Sequence, residues 1–259
     1  MFQESFVSAG GFRIRCMTAG DGPPLVYLHG GGGLHLTEAH DLLTRRFRVT
    51  AFEMPGFGTE ENTRTPDIQS LALTMAAAAE TRAGGPFALM GTSFGGKTAL
   101  WLAVQRPDLV SALVLEGPAA IRPEGTPPVS GGPADIARRL YAHPERVAPP
   151  PPVAPALAAQ RLAFLGRMRG PGRDPVLEDR MRALSMPVLV VFGARDTVVP
   201  PEMGRIYKEL IPGSHLVFIY DAGHEAGAER PEAMAEVVAD FLERNDAFVI
   251  SRSRSAILP

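Results

Sequence analysis

The stretch Phe87 to Leu100 reads Phe-Ala-Leu-Met-Gly-Thr-Ser-Phe-Gly-Gly-Lys-Thr-Ala-Leu, and few folds accommodate it. Phe87 to Met90 is a short apolar run of the kind found in a buried strand, and Ala99 to Val104 supplies an apolar helix face. Between them lies Gly91-Thr92-Ser93-Phe94-Gly95. A serine at such a strand-to-helix turn sits in a sharp, strained backbone, and flanking glycines leave room for strand and helix to close around it. Its hydroxyl then stands exposed above the sheet. The same letters fit a second pattern, Gly-x-x-x-x-Gly-Lys-Thr, from Gly91 to Thr98. In that reading backbone N–H groups and Lys97 hold phosphates while Thr98 holds magnesium. A glycine-rich turn without chemistry is the third reading, and the rest of the chain has to choose.

Taken in order, the chain alternates. Phe2 to Val7 and Phe12 to Met17 read as strands joined through Gly10-Gly11. Strands follow at Pro24 to Leu28 and Phe47 to Phe52, with a helix at Leu36 to Arg46 between them. Asp67 to Arg82 is a helix with Leu71, Met75 and Ala78 on one face, stopped by Gly84-Gly85-Pro86. After the central strand and turn, a helix runs to Arg106-Pro107 and a strand covers Ser111 to Leu115. Later come a strand at Pro187 to Phe192, a helix at Glu202 to Leu210, a strand at Leu216 to Tyr220 and a helix at Pro231 to Glu243. Strands alternating with helices predict an α/β fold, a mostly parallel doubly wound sheet covered on both faces. Functional groups in such sheets collect beyond the carboxyl ends of the strands.

The alternation breaks after Leu115. Residues 118–155 are rich in Pro and Gly, with an unbroken proline run from Pro149 to Pro152 that suits extended surface geometry. Helices are predicted at Ala134 to Ala142, Ala156 to Met168 and Val176 to Leu184, and no strand. The expected organisation is a core at 1–120 and 186–246, an inserted helical cap at 121–185, and a tail at 247–259. The tail can pack on the core or on a second subunit, so a homo-oligomer stays open.

Charge and composition narrow the function. A formal net charge of −2 gives no basis for binding nucleic acid or an acidic membrane surface. Cys16 is the single cysteine, so no internal disulfide forms and a cytoplasmic home is expected. The start lacks the basic residues and long apolar run of a secretory signal, and no run of about 18 apolar residues predicts a membrane span. His35, His40, His143 and His215 have no metal-ligand spacing. Neither a metal nor a cofactor is expected, and the partner is a small-molecule substrate.

Three loops after strands each offer one reactive group: Ser93, Asp196 after Pro187 to Phe192, and His224 after Leu216 to Tyr220. A serine hydroxyl needs a base near neutral pH, and a histidine can take and return its proton. A carboxylate on the far ring nitrogen holds the tautomer and stabilises the imidazolium. Alone, Asp196 would pass for a solvated loop acid and His224 for a surface histidine. Together, on one edge of a parallel sheet, they make a catalytic triad. Glu116, at the end of the strand Ser111 to Leu115, is the competing acid, otherwise expected to border the pocket beneath the cap or to pair with an arginine. The phosphate-loop reading explains neither His29 to Gly33 nor Asp196 nor His224, and strands precede a loop that normally follows the first one. Without that reading Lys97 is simply a residue on the first turn of the helix.

In these residues the chain resembles the α/β-hydrolase family. The order Ser93, Asp196, His224 is that family's order. Gly193-Ala194-Arg195-Asp196 and Ala222-Gly223-His224 resemble its acid and histidine loops, and His29-Gly30-Gly31 its oxyanion loop. Glu53-Met54-Pro55-Gly56-Phe57-Gly58 resembles its Asp-x-Pro-Gly-x-Gly turn, with Glu in place of Asp. The resemblance implies an oxyanion hole from the backbone N–H groups of Phe94 and Gly31, with Gly32 as substitute if the loop shifts by one. His29 is expected to hold its loop by hydrogen bonds. A serine nucleophile implies acyl chemistry on a carboxylic ester or on a carbon–carbon bond beside a ketone, as in meta-cleavage hydrolases. Prolyl peptides fit less well, because the proline that follows His-Gly-Gly in those enzymes is missing. A catalytically silent relative that only binds a ligand is the reading of another class. Cap arginines Arg138, Arg139, Arg161 and Arg167 are candidates to clamp a substrate carboxylate.

Overall fold

The computed structural model describes residues 1–129 and 131–245, so the tail expected at 247–259 lies outside the described residues. Strands β1 (Gln3–Ala9) and β2 (Phe12–Ala19) form an antiparallel hairpin. Gly10 and Gly11 both have positive φ, 56° and 76°, which a two-residue turn matched to strand twist requires. There follow β3 (Pro24–Leu28), α1 (Glu38–Leu43), β4 (Arg48–Phe52), α2 (Ile68–Ala83), β5 (Phe87–Thr92), α3 (Phe94–Gln105) and β6 (Val110–Glu116). Helix α2 starts where the Asp67 carboxylate accepts from Ser70 N at 2.8 Å and stops at Gly84 with φ 74°. Helix α1 is shorter than expected. Thr37 and His40 cap its start, leaving Leu34 and Leu36 to pack on the core from the preceding loop.

Between β6 and β7 (Val188–Gly193) the chain leaves the sheet. It forms α4 (Pro133–Leu140), a 3₁₀ turn at Pro144–Arg146, α5 (Pro155–Met168) and α6 (Pro175–Met181), without a strand among the described residues. Each of these helices opens with proline in its first turn, where the missing N–H costs no hydrogen bond. Pro149 to Pro152 is exposed and outside any regular element. The chain then returns through β7, α7 (Met203–Leu210), β8 (His215–Ile219), the short α8 (Ala226–Glu229) and α9 (Pro231–Arg244). The 3₁₀ turn and α8 are too short to leave a periodic signal.

The sheet has eight strands in the order β1-β2-β4-β3-β5-β6-β7-β8. All neighbours from β4 onward are parallel, and β2 pairs antiparallel with β4. Central strands alternate between two cores. In β6, Leu113 and Leu115 face the layer of Leu71, Met75, Trp101, Met181 and Tyr207, from α2, α3, α6 and α7. Ala112 and Val114 face the layer of Leu43, Val238 and Phe241, from α1 and α9. Full burial of each large apolar side chain contributes roughly 1.5–3 kcal/mol. Phe164 and Met168 of α5 belong to the first layer with Leu177 and Met181 of α6, so these two inserted helices are packed on the core.

After β3 the chain crosses to β4 on one side, then returns to place β5 on the other side of β3. Leu28 ends β3 directly beside Gly91 of β5. The loops leaving these two strands therefore part at the point where the order reverses, the place where open α/β sheets carry their sites. Among the described residues no helix is long and apolar enough to cross a membrane.

Candidate active site

Ser93 links β5 to α3 with φ 55° and ψ −111°. Such a conformation costs a non-glycine residue about 1–3 kcal/mol and persists only where its surroundings over-determine it. Here Ser93 N donates to Glu116 O at 2.8 Å, and Ser93 O accepts from Ala119 N at 2.9 Å and Lys97 N at 3.1 Å. The flanking glycines are needed for space. A β-carbon on Gly95 would stand 2.1 Å from Leu28 O, and one on Gly91 2.4 Å from Gly95 O. Phe94 is the first residue of α3, so its N–H belongs to the donors that a helix leaves free at its start.

The loop after β3 runs against this turn. A β-carbon on Gly30 would lie 3.6 Å from Ser93 Cβ. Buried His29 accepts from Met54 N through Nε2 at 3.1 Å and bonds Gly30 O through Nδ1 at 2.7 Å. These contacts place the proton on Nδ1 and make the ring neutral, and burial lowers its pKa to about 4. His29 thus holds its loop, as expected, and ties it to the turn after β4. Glu53 in that turn pairs with Arg15 at 3.0 Å.

Asp196 and His224 meet. His224 Nδ1 and Asp196 Oδ2 are 2.7 Å apart, and both side chains are buried. Asp196 Oδ1 accepts from Val198 N and Val199 N at 2.8 and 2.9 Å. With a carboxylate on Nδ1, the neutral ring carries its proton there and leaves a lone pair on Nε2. That Nε2 is buried and makes no hydrogen bond, so Ser93 Oγ is not bonded to it in this structure. Burial pushes the imidazole pKa down. The hydrogen bond and charge of Asp196, with the charges of Glu225 and Glu116, outweigh this and hold it above its ordinary value.

Glu116 is the last residue of β6, is buried, and spends its carboxylate on partners other than His224 Nδ1. Its Oε2 accepts from Thr92 Oγ1 at 2.6 Å and its Oε1 from Gly227 N at 2.7 Å. Among the described residues no arginine pairs with it, and His224 Nδ1 bonds Asp196. Burial raises its pKa against those two hydrogen bonds.

Lys97 lies in the first turn of α3, as expected, and does more than occupy it. It is buried, and its ammonium donates to Arg169 O at 2.5 Å and toward Met168 O at 3.4 Å, capping the C-terminus of α5. Burial lowers its pKa to about 8. Thr98 Oγ1 donates to Phe94 O at 3.0 Å. The two residues that a phosphate loop would use are thus engaged within the fold. Lys97→Met is expected to cost about 1–3 kcal/mol, because carbonyls at the end of α5 lose their donor. A thermal melt reads this as a lower Tm; an unchanged melt would contradict it.

The arginines named from sequence are committed as well. Arg161 donates to Phe57 O and Gly32 O, both at 2.8 Å, and Arg167 to Asn62 O. Arg138 pairs with Asp135 at 2.5 Å and Arg139 donates to Pro128 O at 3.2 Å. Sequence reasoning also missed how the insertion fastens the histidine loop. His224 N donates to Leu140 O at 2.7 Å. Glu229 accepts from Gly223 N at 2.6 Å, Ala142 N at 3.1 Å and His143 N at 2.8 Å. The short helix that holds Glu229 carries no periodic pattern to reveal it. Among the described residues no cluster of His, Cys, Asp and Glu could hold a metal ion.

The alpha/beta hydrolase family profile matches residues 25–237. The chain belongs to the alpha/beta hydrolase family. It is similar to 2-hydroxy-6-oxo-6-(2'-aminophenyl)hexa-2,4-dienoic acid hydrolase of Metapseudomonas resinovorans, with 31% identity over 94% of this chain and 92% of that one. It is also 30% identical to a pimeloyl-(acyl-carrier protein) methyl ester esterase of Neisseria meningitidis, over 84% of this chain and 93% of the relative. Among solved structures it resembles a serine hydrolase involved in carbazole degradation, the CarC enzyme. That match has TM-score 0.76 and 28% identity and covers 94% of this chain and 99% of that one. This α/β-hydrolase is a hydrolytic enzyme, and its eight-stranded, mostly parallel sheet is that of its family's fold.

Proposed function

We propose that this α/β-hydrolase cleaves a small carboxylic ester with Ser93 as nucleophile, His224 as base and Asp196 as its orienting acid. The observation that carries the reading is the buried 2.7 Å contact of Asp196 with His224, whose Nε2 has no other partner. Nε2 takes the Ser93 proton as Oγ attacks the ester carbonyl, then delivers it to the leaving alkoxide. Water repeats the sequence on the acyl-enzyme. The N–H groups of Phe94 and Gly31 stabilise the tetrahedral oxyanion. Arg161, bonded to Gly32 O, keeps the Gly31 loop in register for this.

Residues 121–185 act as the cap that roofs the substrate. Phe164 and Leu165 of α5 support that role, the first packing on Phe57 and Phe94, the second lying over Gly31. A cytoplasmic location fits the single, buried, unpaired Cys16.

Hydrolysis of a carbon–carbon bond beside a ketone is the second reading, favoured by the relative from Metapseudomonas resinovorans. The ester is preferred because Arg138, Arg139, Arg161 and Arg167 are each engaged with partners inside this chain. A dienoic acid substrate would call on such a cation for its carboxylate. The test is a fluorophosphonate label with peptide mapping, then a panel of p-nitrophenyl esters beside a 2-hydroxy-6-oxo-dienoate. Label on Ser93 and ester kcat/KM at least about tenfold above the dienoate support the proposal. Absence of labelling would refute the nucleophile, and the reverse preference would install carbon–carbon chemistry.

Only neutral imidazole accepts the Ser93 proton, and His224 is held above its ordinary pKa of 6.5. The ester kcat/KM should therefore rise with pH through a midpoint above 6.5 and then level off. A flat profile from about pH 5 to 9, with chemistry rate-limiting, would contradict a histidine base.

A further inference from the structure

Buried Glu116 makes three hydrogen bonds that no step above uses. Its carbonyl takes Ser93 N–H at 2.8 Å. Its Oε2 takes the hydroxyl of Thr92, the residue before Ser93, at 2.6 Å. Its Oε1 takes Gly227 N–H at 2.7 Å, three residues past His224. The Thr92 hydroxyl is itself oriented, because Tyr27 OH of β3 donates to Thr92 Oγ1 at 3.2 Å and leaves the threonine proton for Glu116. All four groups are buried or part of a buried contact. The network thus ties β3, β5 and β6 to α8.

Its position has a mechanical consequence. The loops of Ser93 and His224 come from β5 and β8, which are not neighbours in the sheet. The backbone between them at Gly117 lies against the Asp196–His224 pair, a β-carbon there standing 3.0 Å from His224 Nδ1. Covalent continuity does nothing to hold Oγ and Nε2 at a set separation. The Glu116 carboxylate does, since one oxygen grips each side. Acceptors are what this site demands. Its two partners are an N–H and a hydroxyl already committed as acceptor to Tyr27.

We propose that Glu116, oriented through Thr92 and Tyr27, is a positioning residue that sets the spacing of the Ser93 hydroxyl and the His224 imidazole. The inference rests on the Ser93 and His224 reading above. A brace of this kind acts on proton transfer in the transition state and leaves substrate contacts alone, so its loss lowers kcat and spares KM. Small errors in such geometry are costly to rate.

The experiment measures kcat, KM and Tm on one p-nitrophenyl ester for Glu116→Gln, Thr92→Val, Thr92→Ser and the double variant Glu116→Gln/Thr92→Val. Glutamine keeps the shape but turns an NH2 toward one of two donors. Valine keeps the shape of threonine without its hydroxyl, and serine restores the hydroxyl. Expected are a roughly tenfold loss of kcat in Glu116→Gln and in Thr92→Val. KM should stay within about threefold and Thr92→Ser should return to within about threefold of wild type. The double variant should cost much less than the product of the single losses, since both break one network. Because Thr92→Val and Thr92→Ser change so little volume, their Tm values show whether a rate loss is only unfolding.

Wild-type kcat in Thr92→Val and Glu116→Gln would overturn the proposal. A rise in KM at constant kcat would do the same, as would strict multiplication of the two losses. Failure of the underlying reading looks different: Ser93→Ala would stay active and unlabelled wild-type enzyme would survive the phosphonate.

Discussion

Ser93→Ala is expected to remove ester hydrolysis almost entirely, with kcat lower by roughly four to six orders of magnitude. The motive is structural. Ser93 is held at φ 55° by hydrogen bonds from three directions, at the head of α3 and against the Gly30 loop. A fold bears that strain where the side chain has work to do. Alanine is strained at this φ as serine is, so the substitution should leave Tm and the circular dichroism spectrum near wild type. Ester turnover within about tenfold of wild type, in a folded variant free of other esterases, would end the assignment.

Asp196→Asn is expected to be nearly as damaging, with kcat down about a thousandfold to ten-thousandfold. Asp196 Oδ1 already serves Val198 N and Val199 N. The asparagine carbonyl would keep that place, which turns its NH2 toward His224 Nδ1. The ring then has to present a lone pair at Nδ1 and carry its proton on Nε2, where it can no longer accept one from Ser93. Glu116→Gln, measured alongside, should cost only about tenfold. If Glu116→Gln were the crippled variant and Asp196→Asn nearly normal, the acid of the triad would be Glu116, and the 2.7 Å contact of His224 with Asp196 would be incidental.

Much of this site was legible before any coordinates. Ser93, Asp196 and His224 each follow a strand whose apolar run is plain, and parallel strands deliver their following loops to one edge. The glycines at 91 and 95 announced a turn without room for β-carbons, and carbonyls stand 2.4 and 2.1 Å from where those carbons would be. The start of α2 was legible at Asp67, while α4, α5 and α6 each begin one residue before the expected Ala134, Ala156 and Val176, at the proline that opens the first turn. What Lys97 touches was not legible, for the opposite reason. A lysine one turn into a helix says nothing about a carbonyl at the end of another helix some 70 residues later, and Nζ binds there. Arg161 was read as a candidate for substrate, yet its donors go to Gly32 O and Phe57 O.

What the sequence determined by itself is whatever depends on near neighbours and on period. The alternation of strands and helices, the turn that carries Ser93, and the order Ser93, Asp196, His224 are all of that kind. They were sufficient for the fold and for a class of chemistry. Only the tertiary structure showed which of the two buried carboxylates lies against His224 Nδ1: Asp196, three residues past β7, and not Glu116 at the end of β6. It also decided that Glu116 joins Thr92 to Gly227, and that Leu140 and Glu229 fasten the histidine loop to the insertion. Those bonds span up to 111 residues of chain. A hydrogen bond is specified by the direction of a donor over about 3 Å, and no local pattern in a sequence carries that information across such a separation.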